Sequence, residues 1–255
     1  MNLANVCNAS LYICFNAEKG IPRKNILRAE DAVKRLFLTA IDYGIKVESI
    51  SETGDSFEEI RKIVKREQIN LVFTAAKMGD VKTKPPAGVI ARNLMFKLPA
   101  SVALVRVVHI ERGHPKNILV PLKEKIDHLG ERAYFCAKMA EVFNSKLFLL
   151  HFAKPASRFF DGQANLTLVQ KEKILSGDIS NFIEHIKRYG IEYESAVSEI
   201  PAGPGINIEA ALKKHDLIIM GATGRGTISS LLKGNPVENV LWMTPCDLII
   251  LKSWL

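Results

Sequence analysis

Cysteine is scarce in this 255-residue chain: Cys7, Cys14, Cys136 and Cys246 show no paired metal-ligand spacing, which argues against a zinc module or a disulfide scaffold. Three of the four lie in apolar runs and are expected to be buried, reduced thiols of a cytoplasmic protein. Aromatic residues make up only 7% of the chain and no basic block is interleaved with them, so a specific nucleic-acid surface is not expected. No apolar run approaches the roughly 20 residues that span a bilayer. The longest, such as Phe148–Ala153 and Val102–Val108, are strand-sized. The first seven residues, Met-Asn-Leu-Ala-Asn-Val-Cys, lack the basic-then-apolar layout of a secretory signal. There is no Gly-x-Ser-x-Gly elbow, no pair of acids near a glycine loop, and no metal spacing among His109, His114, His128, His151, His185 and His215. His151 ends a strand and could border a crevice, with a satisfied core histidine as the simpler reading. Catalysis is therefore not expected. The net charge of +8 is dispersed over residues such as Lys123, Lys125, Lys171, Lys173, Lys187 and Arg188, as on solvated helix surfaces and loops.

What is present is a glycine-rich connection. The apolar run Leu217–Met220 leads into Gly221-Ala-Thr-Gly224-Arg225-Gly, and with nine residues between, Gly224 is followed by Gly234-Asn235-Pro236. A buried strand that ends in glycines and feeds a helix N-terminus suits phosphate. Glycine permits positive φ and close anion approach, and the helix start adds free N–H donors and a positive dipole end. A capping box of Asn235, Pro236 and Glu238 accounts for part of the pattern without any ligand. The stretch is neither a P-loop, since Thr227 stands where lysine is required, nor the G-x-G-x-x-G of dinucleotide folds.

The chain also repeats itself. Tyr43-Gly-Ile-Lys-Val-Glu-Ser matches Tyr189-Gly-Ile-Glu-Tyr-Glu-Ser, a shift of 189 − 43 = 146. The same shift pairs Asn70-Leu-Val-Phe with Asp216-Leu-Ile-Ile, Gly88 with Gly234, and Pro99 with Pro245. Leu3–Asn8 aligns with Met139–Asn144 at a shift of 136. In the second copy, strands are expected at Asn117–Leu122, Lys146–Phe152, Ile191–Val197, Leu217–Met220 and Asp247–Lys252. Helices are expected at Leu129–Phe143, through a long segment capped by Gly190, at Ile206–Lys214 and at Pro236–Met243, with a polar loop over Pro155–Leu166. Such alternation implies an α/β fold with a mostly parallel sheet covered on both faces. The expected domains are 1–110 and 115–255. The first copy begins inside its first helix and has no counterpart of Asn117–Leu122. That strand is central in such a fold, so a late start or another segment in the gap is expected, together with lower stability of the first domain. Ala75 and Met78 replace Gly221 and Gly224 there, so the first domain is read as having lost nucleotide binding.

The spacing G-x2-G-x9-G, the Val237-Glu-Asn-Val-Leu run and the Thr244-Pro-Cys turn resemble the universal stress protein family, and the chain is identified as a tandem member. The resemblance implies tandem open-sheet α/β sandwich domains, with ATP, ADP or AMP, with or without Mg2+, as ligand in some members. It also implies an internal pseudo-dimer through Val102–Val108 and Asp247–Lys252, with a homodimer as a further option. By position, Gly221, Gly224, Arg225, Gly234 and Asn235 would hold the phosphates, with Pro236 and Val237 extending the cradle. Pro121, Leu122 and Lys123 would face the adenosine, and Met220 and Phe152 would border the base. Two departures stand out: Lys123 replaces an acidic residue, and Asn235 replaces a serine or threonine. The implied function is a cytoplasmic stress-response regulator that binds an adenine nucleotide in its second domain. A module of the same fold that binds no nucleotide is the alternative, and a hydrolase ranks last.

Overall fold

The computed structural model describes residues 1–17, 20–76, 88–110, 114–152, 177–222 and 236–254. The first repeat contains α1 (Asn2–Val6), β1 (Leu11–Ala17), α2 (Arg23–Asp42), β2 (Val47–Thr53), α3 (Ser56–Arg66), β3 (Leu71–Ala75), α4 (Val89–Lys97) and β4 (Ser101–Arg106). The second contains β5 (Asn117–Leu122), α5 (Leu129–Phe143), β6 (Lys146–Phe152), α6 (Gly177–Arg188), β7 (Tyr193–Ser198), α7 (Ala202–Leu212), β8 (Leu217–Gly221), α8 (Pro236–Met243) and β9 (Asp247–Lys252). The elements recur at the sequence shift: 202 − 56, 217 − 71 and 247 − 101 all equal 146. The chain reversals recur as well. Gly44 and Gly190 follow their helices at φ +69° and +67°, and Asn8 and Asn144 at +48° and +50°. A left-handed residue of this kind ends a helix by satisfying its last carbonyls.

Local chemistry accounts for the helices. The Asp55 carboxylate accepts the Glu58 N–H at 3.0 Å, with Glu58 and Glu59 in the first turn of α3 and Lys65 and Arg66 in its last, as the helix dipole favours. Ile179, Phe182, Ile183 and Ile186 form one apolar stripe on α6, and all four are buried. Helix α7 starts at Ala202, four residues before the expected Ile206. Gly203, Pro204 and Gly205 read as breakers, but a proline in a first turn lacks an N–H that would have had no helical partner anyway.

Seven strands form one α/β sheet in the order β3-β4-β9-β8-β5-β6-β7, parallel except where β4 meets β9. Period-two alternation divides the core into two layers. Leu248 and Ile250 of β9 pack with α4, α7 and α8 on one face, while Ile249 and Leu251 pack with α5 and α6 on the other. The β4–β9 seam is reinforced by side chains. Asp247 Oδ1 accepts the N–H groups of Val108 and His109, and Lys252 Nζ donates to the carbonyls of Leu98 and Ala100 at 2.8 and 2.9 Å.

Strand β5 lies at the centre of the second repeat, paired with β6 over its full length and with β8 at Ile118 and Leu119. Among the described residues the first repeat has no equivalent strand. Its sheet is split accordingly: β3 and β4 join the seven-stranded sheet, while β1 and β2 form a separate parallel pair. Burial follows this split. Leu36 of α2 is 49% exposed, whereas its counterpart Phe182 of α6 is 1% exposed. Cys14 of β1, expected to be buried, is exposed, because a two-stranded pair has too little surface to cover both faces; Cys136 and Cys246 are buried.

Two histidines are buried in the second repeat. His151 shares a 2.6 Å hydrogen bond with Ser195 Oγ, and burial lowers its pKa to about 4. His215 lies 4.7 Å from the Phe148 ring, and burial lowers its pKa too. Both are neutral in the folded chain at pH 7.

Two predictions follow from this layout. Ile13 and Leu149 occupy equivalent registers, 149 − 13 = 136. Leu149→Ala is expected to cost about 3 kcal/mol in chemical denaturation and Ile13→Ala about 1 kcal/mol, with faster amide exchange in β1 and β2 than in β5, β6 and β8. Equal costs would contradict the split sheet. The second concerns pH. The folded pKa of His151 lies below its unfolded value, so stability is fully present above about pH 6.5 and declines as acid protonates the unfolded chain first. Between pH 7 and pH 5 the loss from His151 is on the order of 2 kcal/mol, and His215 acts in the same direction. Denaturation midpoints of the protein and of His151→Gln at both pH values check this, the variant showing the smaller acid loss.

Candidate functional site

Strands that run parallel bring their carboxyl ends to one edge of the sheet. Where the winding reverses, the connections leave in opposite directions and open a crevice. In the second repeat the chain moves from β5 outward to β6 and β7, then crosses back to β8 and β9. The reversal therefore lies between β5 and β8. Their amino ends are fastened together, because Asp216 Oδ2 accepts the N–H groups of Lys116 and Asn117 at 2.9 and 3.0 Å. The ladder then stops at Leu119, two residues before Pro121, which has no N–H to offer. Beyond that point lies a cavity of about 50 Å³.

This cavity gathers Pro121, Leu122 and Lys123 from the end of β5, Phe152 from the end of β6, Met220 and Gly221 from the end of β8, and Pro236 from the start of α8. Seven of the residues singled out in the sequence thus share one wall or another of a single space. Val237 does not join them: its side chain is buried with Val240 and Leu241 in the core, because consecutive helical residues face different directions. Gly224, Arg225, Gly234 and Asn235 lie outside the described residues. So does Met78 of the first repeat. His151 is inside the core against Ser195 and does not line the cavity.

The sequence reading did not identify Arg132 and Cys136, which reach the cavity from α5. They are four residues apart, one turn above the other on one helix face. That spacing, beside a helix that starts where β5 ends, was the available signal. Arg132 crosses to β8, where its Nη2 donates to the Ala222 carbonyl at 2.8 Å. Its Nε is buried without a partner among the described residues. Burial lowers its pKa, opposed chiefly by Asp127. Lys123 is lowered as well, first by desolvation against the cavity wall and then by Arg132 itself. The Cys136 thiol is pushed up to about 12 by burial, so it stays protonated and unreactive at neutral pH.

Gly221 differs from expectation. It does not adopt positive φ. The constraint is spatial: a Cβ on Gly221 would collide with the Arg132 guanidinium. At a second position, Gly205 lets α7 close on the strand ends, since a Cβ there would come within 3.1 Å of the Ile200 carbonyl and 3.2 Å of the Phe152 ring. Among the described residues no cluster of histidine, cysteine or acidic side chains could hold a metal ion, and no helix is long and apolar enough to cross a membrane.

No curated protein matches the chain in sequence. Solved structures match its fold. A universal stress protein from Archaeoglobus fulgidus DSM 4304 is 16% identical, with a TM-score of 0.67 over 98% of this chain and 90% of that one. A protein of unknown function from Pseudomonas aeruginosa PAO1 is 17% identical, with a TM-score of 0.61 over 99% of this chain and 85% of that one. A universal stress protein from Archaeoglobus fulgidus, solved in complex with dAMP, is 16% identical and covers 55% of this chain and all (100%) of its own, with a TM-score of 0.40. The profile of the Universal stress protein family matches residues 114–252, from the residues before β5 to the last residue of β9. With that match covering more than half of its length, the chain belongs to the universal stress protein family.

Proposed function

We propose that this protein is a cytoplasmic, stress-response-type regulator that binds an adenine nucleotide in the cavity between β5 and β8. The observation that carries this reading is the position of the cavity, at the winding reversal and at the mouth of the G-x2-G-x9-G connection. Apolar walls from Leu122, Phe152 and Met220 suit a purine, and the glycine connection suits its phosphates. The unit that binds is 115–255. In the first repeat Ala75 stands at the position of Gly221, and the unit 1–110 serves as a structural partner. Mg2+ enters only with a nucleotide whose phosphates bring it. Among the described residues that line the cavity none is placed as a general base: Cys136 is protonated, and Arg132 and Lys123 are cations.

Calorimetric titration of the purified chain with ATP, ADP and AMP tests the reading, alongside mass spectrometry of whatever the denatured protein releases. Saturable binding of an adenine compound is the expected result. Gly221→Val should weaken binding by about tenfold or more while leaving the melting temperature within a few degrees, because the valine would push the flexible end of Arg132 aside and occupy the cavity mouth itself. Unchanged affinity in the folded variant contradicts the assignment.

A second reading has its own observation. The antiparallel register of Val102–Arg106 on Leu248–Lys252 joins the two repeats into one sheet, as a pseudo-dimeric assembly module requires. No binding of any adenine compound would favour it.

A further inference from the structure

The cavity of about 50 Å³ holds a few waters and no purine. Among its walls, Arg132 is the group most easily displaced. Most of the other described residues that narrow the space belong to a strand or are buried in the core, whereas the guanidinium is the far end of a flexible side chain with one hydrogen bond among the described residues, to the Ala222 carbonyl. Its Nε has no partner among the described residues. Lys123 faces the same space from the end of β5, and no described residue forms an ion pair with it. Asp127 offsets both cations, and the second acid near Arg132, Glu131, accepts a hydrogen bond from Ser101 Oγ. Two cations therefore converge on one opening, and among the described residues Asp127 is the acid that acts on both.

We propose that Arg132 and Lys123 form a two-cation clamp that makes the site selective for a nucleoside di- or triphosphate, Arg132 resting over Gly221 until that anion displaces it. The proposal rests on the adenine-nucleotide reading and adds to it the charge class of the ligand. A guanidinium presents paired donors that match phosphate oxygens, and an ammonium adds a compact positive charge. Mutual repulsion between them is relieved in proportion to the negative charge that enters. A cyclic monophosphate carries one charge and cannot engage both groups as ADP or ATP can. The same displacement that frees the cations also opens the space above Gly221, so entry of the phosphates and entry of the base are coupled.

The test is calorimetric titration of the full chain at low salt with ATP, ADP, adenosine, cyclic AMP and inorganic tripolyphosphate. Wild type is compared with Arg132→Gln, Arg132→Lys and Lys123→Gln, each checked by thermal melting. In the wild type ATP should bind about tenfold or more tighter than cyclic AMP, with the preference shrinking as salt is added. Arg132→Gln should bring the ratio close to one while adenosine binds as well as or better than to wild type. Arg132→Lys should retain part of the preference, and Lys123→Gln should lower it. A ratio that Arg132→Gln leaves unchanged overturns the proposal while the adenine reading survives. Tripolyphosphate that binds in an Arg132-dependent way, with no adenine compound binding, upholds the clamp and removes the adenine reading. Failure of tripolyphosphate and nucleotides alike overturns both. Should Arg132→Gln not fold, the other two variants carry the comparison, and an ATP preference unaltered in both overturns the clamp.

Discussion

Asn117–Leu122 has a parallel neighbour on each edge and an apolar layer on each face, and the organisation of the molecule follows from that double pairing. A strand in this position satisfies its backbone groups on both sides and places Ile118, Leu119, Val120 and Leu122 out of water. With it in place, α5 and α6 have a floor to pack on, and the strand ends can diverge beyond Leu119 into a cavity. The first repeat shows what the same elements do without it. Among the described residues strands β1 and β2 pair with each other alone, α2 buries only Ala40, and large apolar side chains such as Leu36, Leu38 and Ile41 remain in solvent. Element order and the left-handed turns recur in the two copies, and the contrast in burial follows the break in the sheet.

Continuity is restored at the other side of the first repeat. Strand β4 lies on β9, and Lys252, Asp247 and Arg106 tie backbone carbonyls and N–H groups across the seam. The cost of desolvating Lys252 is visible in its pKa, lowered to about 8 by burial, and the Trp254 ring 4.1 Å from its ammonium offsets part of that cost. The seam and the cavity share β8 and β9 as neighbours. The second repeat therefore carries both the attachment of its partner and the opening between β5 and β8.

Much of the fold was legible because its signals are local. Apolar runs gave β5, β6 and β9 their limits, and the 146-residue shift set the two copies side by side, down to the left-handed Gly44 and Gly190. Boundaries failed where side-chain identity misleads, as at Gly203-Pro204-Gly205, which reads as a loop and forms the first turn of α7. The cavity wall was legible to the extent that it comes from strand ends, which a parallel topology gathers by rule. Arg132 was not, because its role comes from reaching across the sheet, and no pattern along α5 records that distance. Gly221 was picked out in part for a positive φ that it does not adopt. Its backbone is ordinary, and the space it leaves is taken by a side chain from 89 positions earlier, 221 − 132 = 89.

The β4–β9 seam also bears on what the first repeat does for the second. Leu248, Ile249, Ile250 and Leu251 form an apolar run of strand whose one edge is satisfied by β8 and, among the described residues, whose other edge is satisfied by β4. Deleting the first repeat would leave that edge as a template for intermolecular pairing, the hazard that edge strands carry when they are long, apolar and uncharged. A repeat with Ala75 and Met78 in place of Gly221 and Gly224 can still act as a solubility cap. Ser101–Arg106 would then keep the protein soluble through backbone pairing alone, whatever that half of the chain binds.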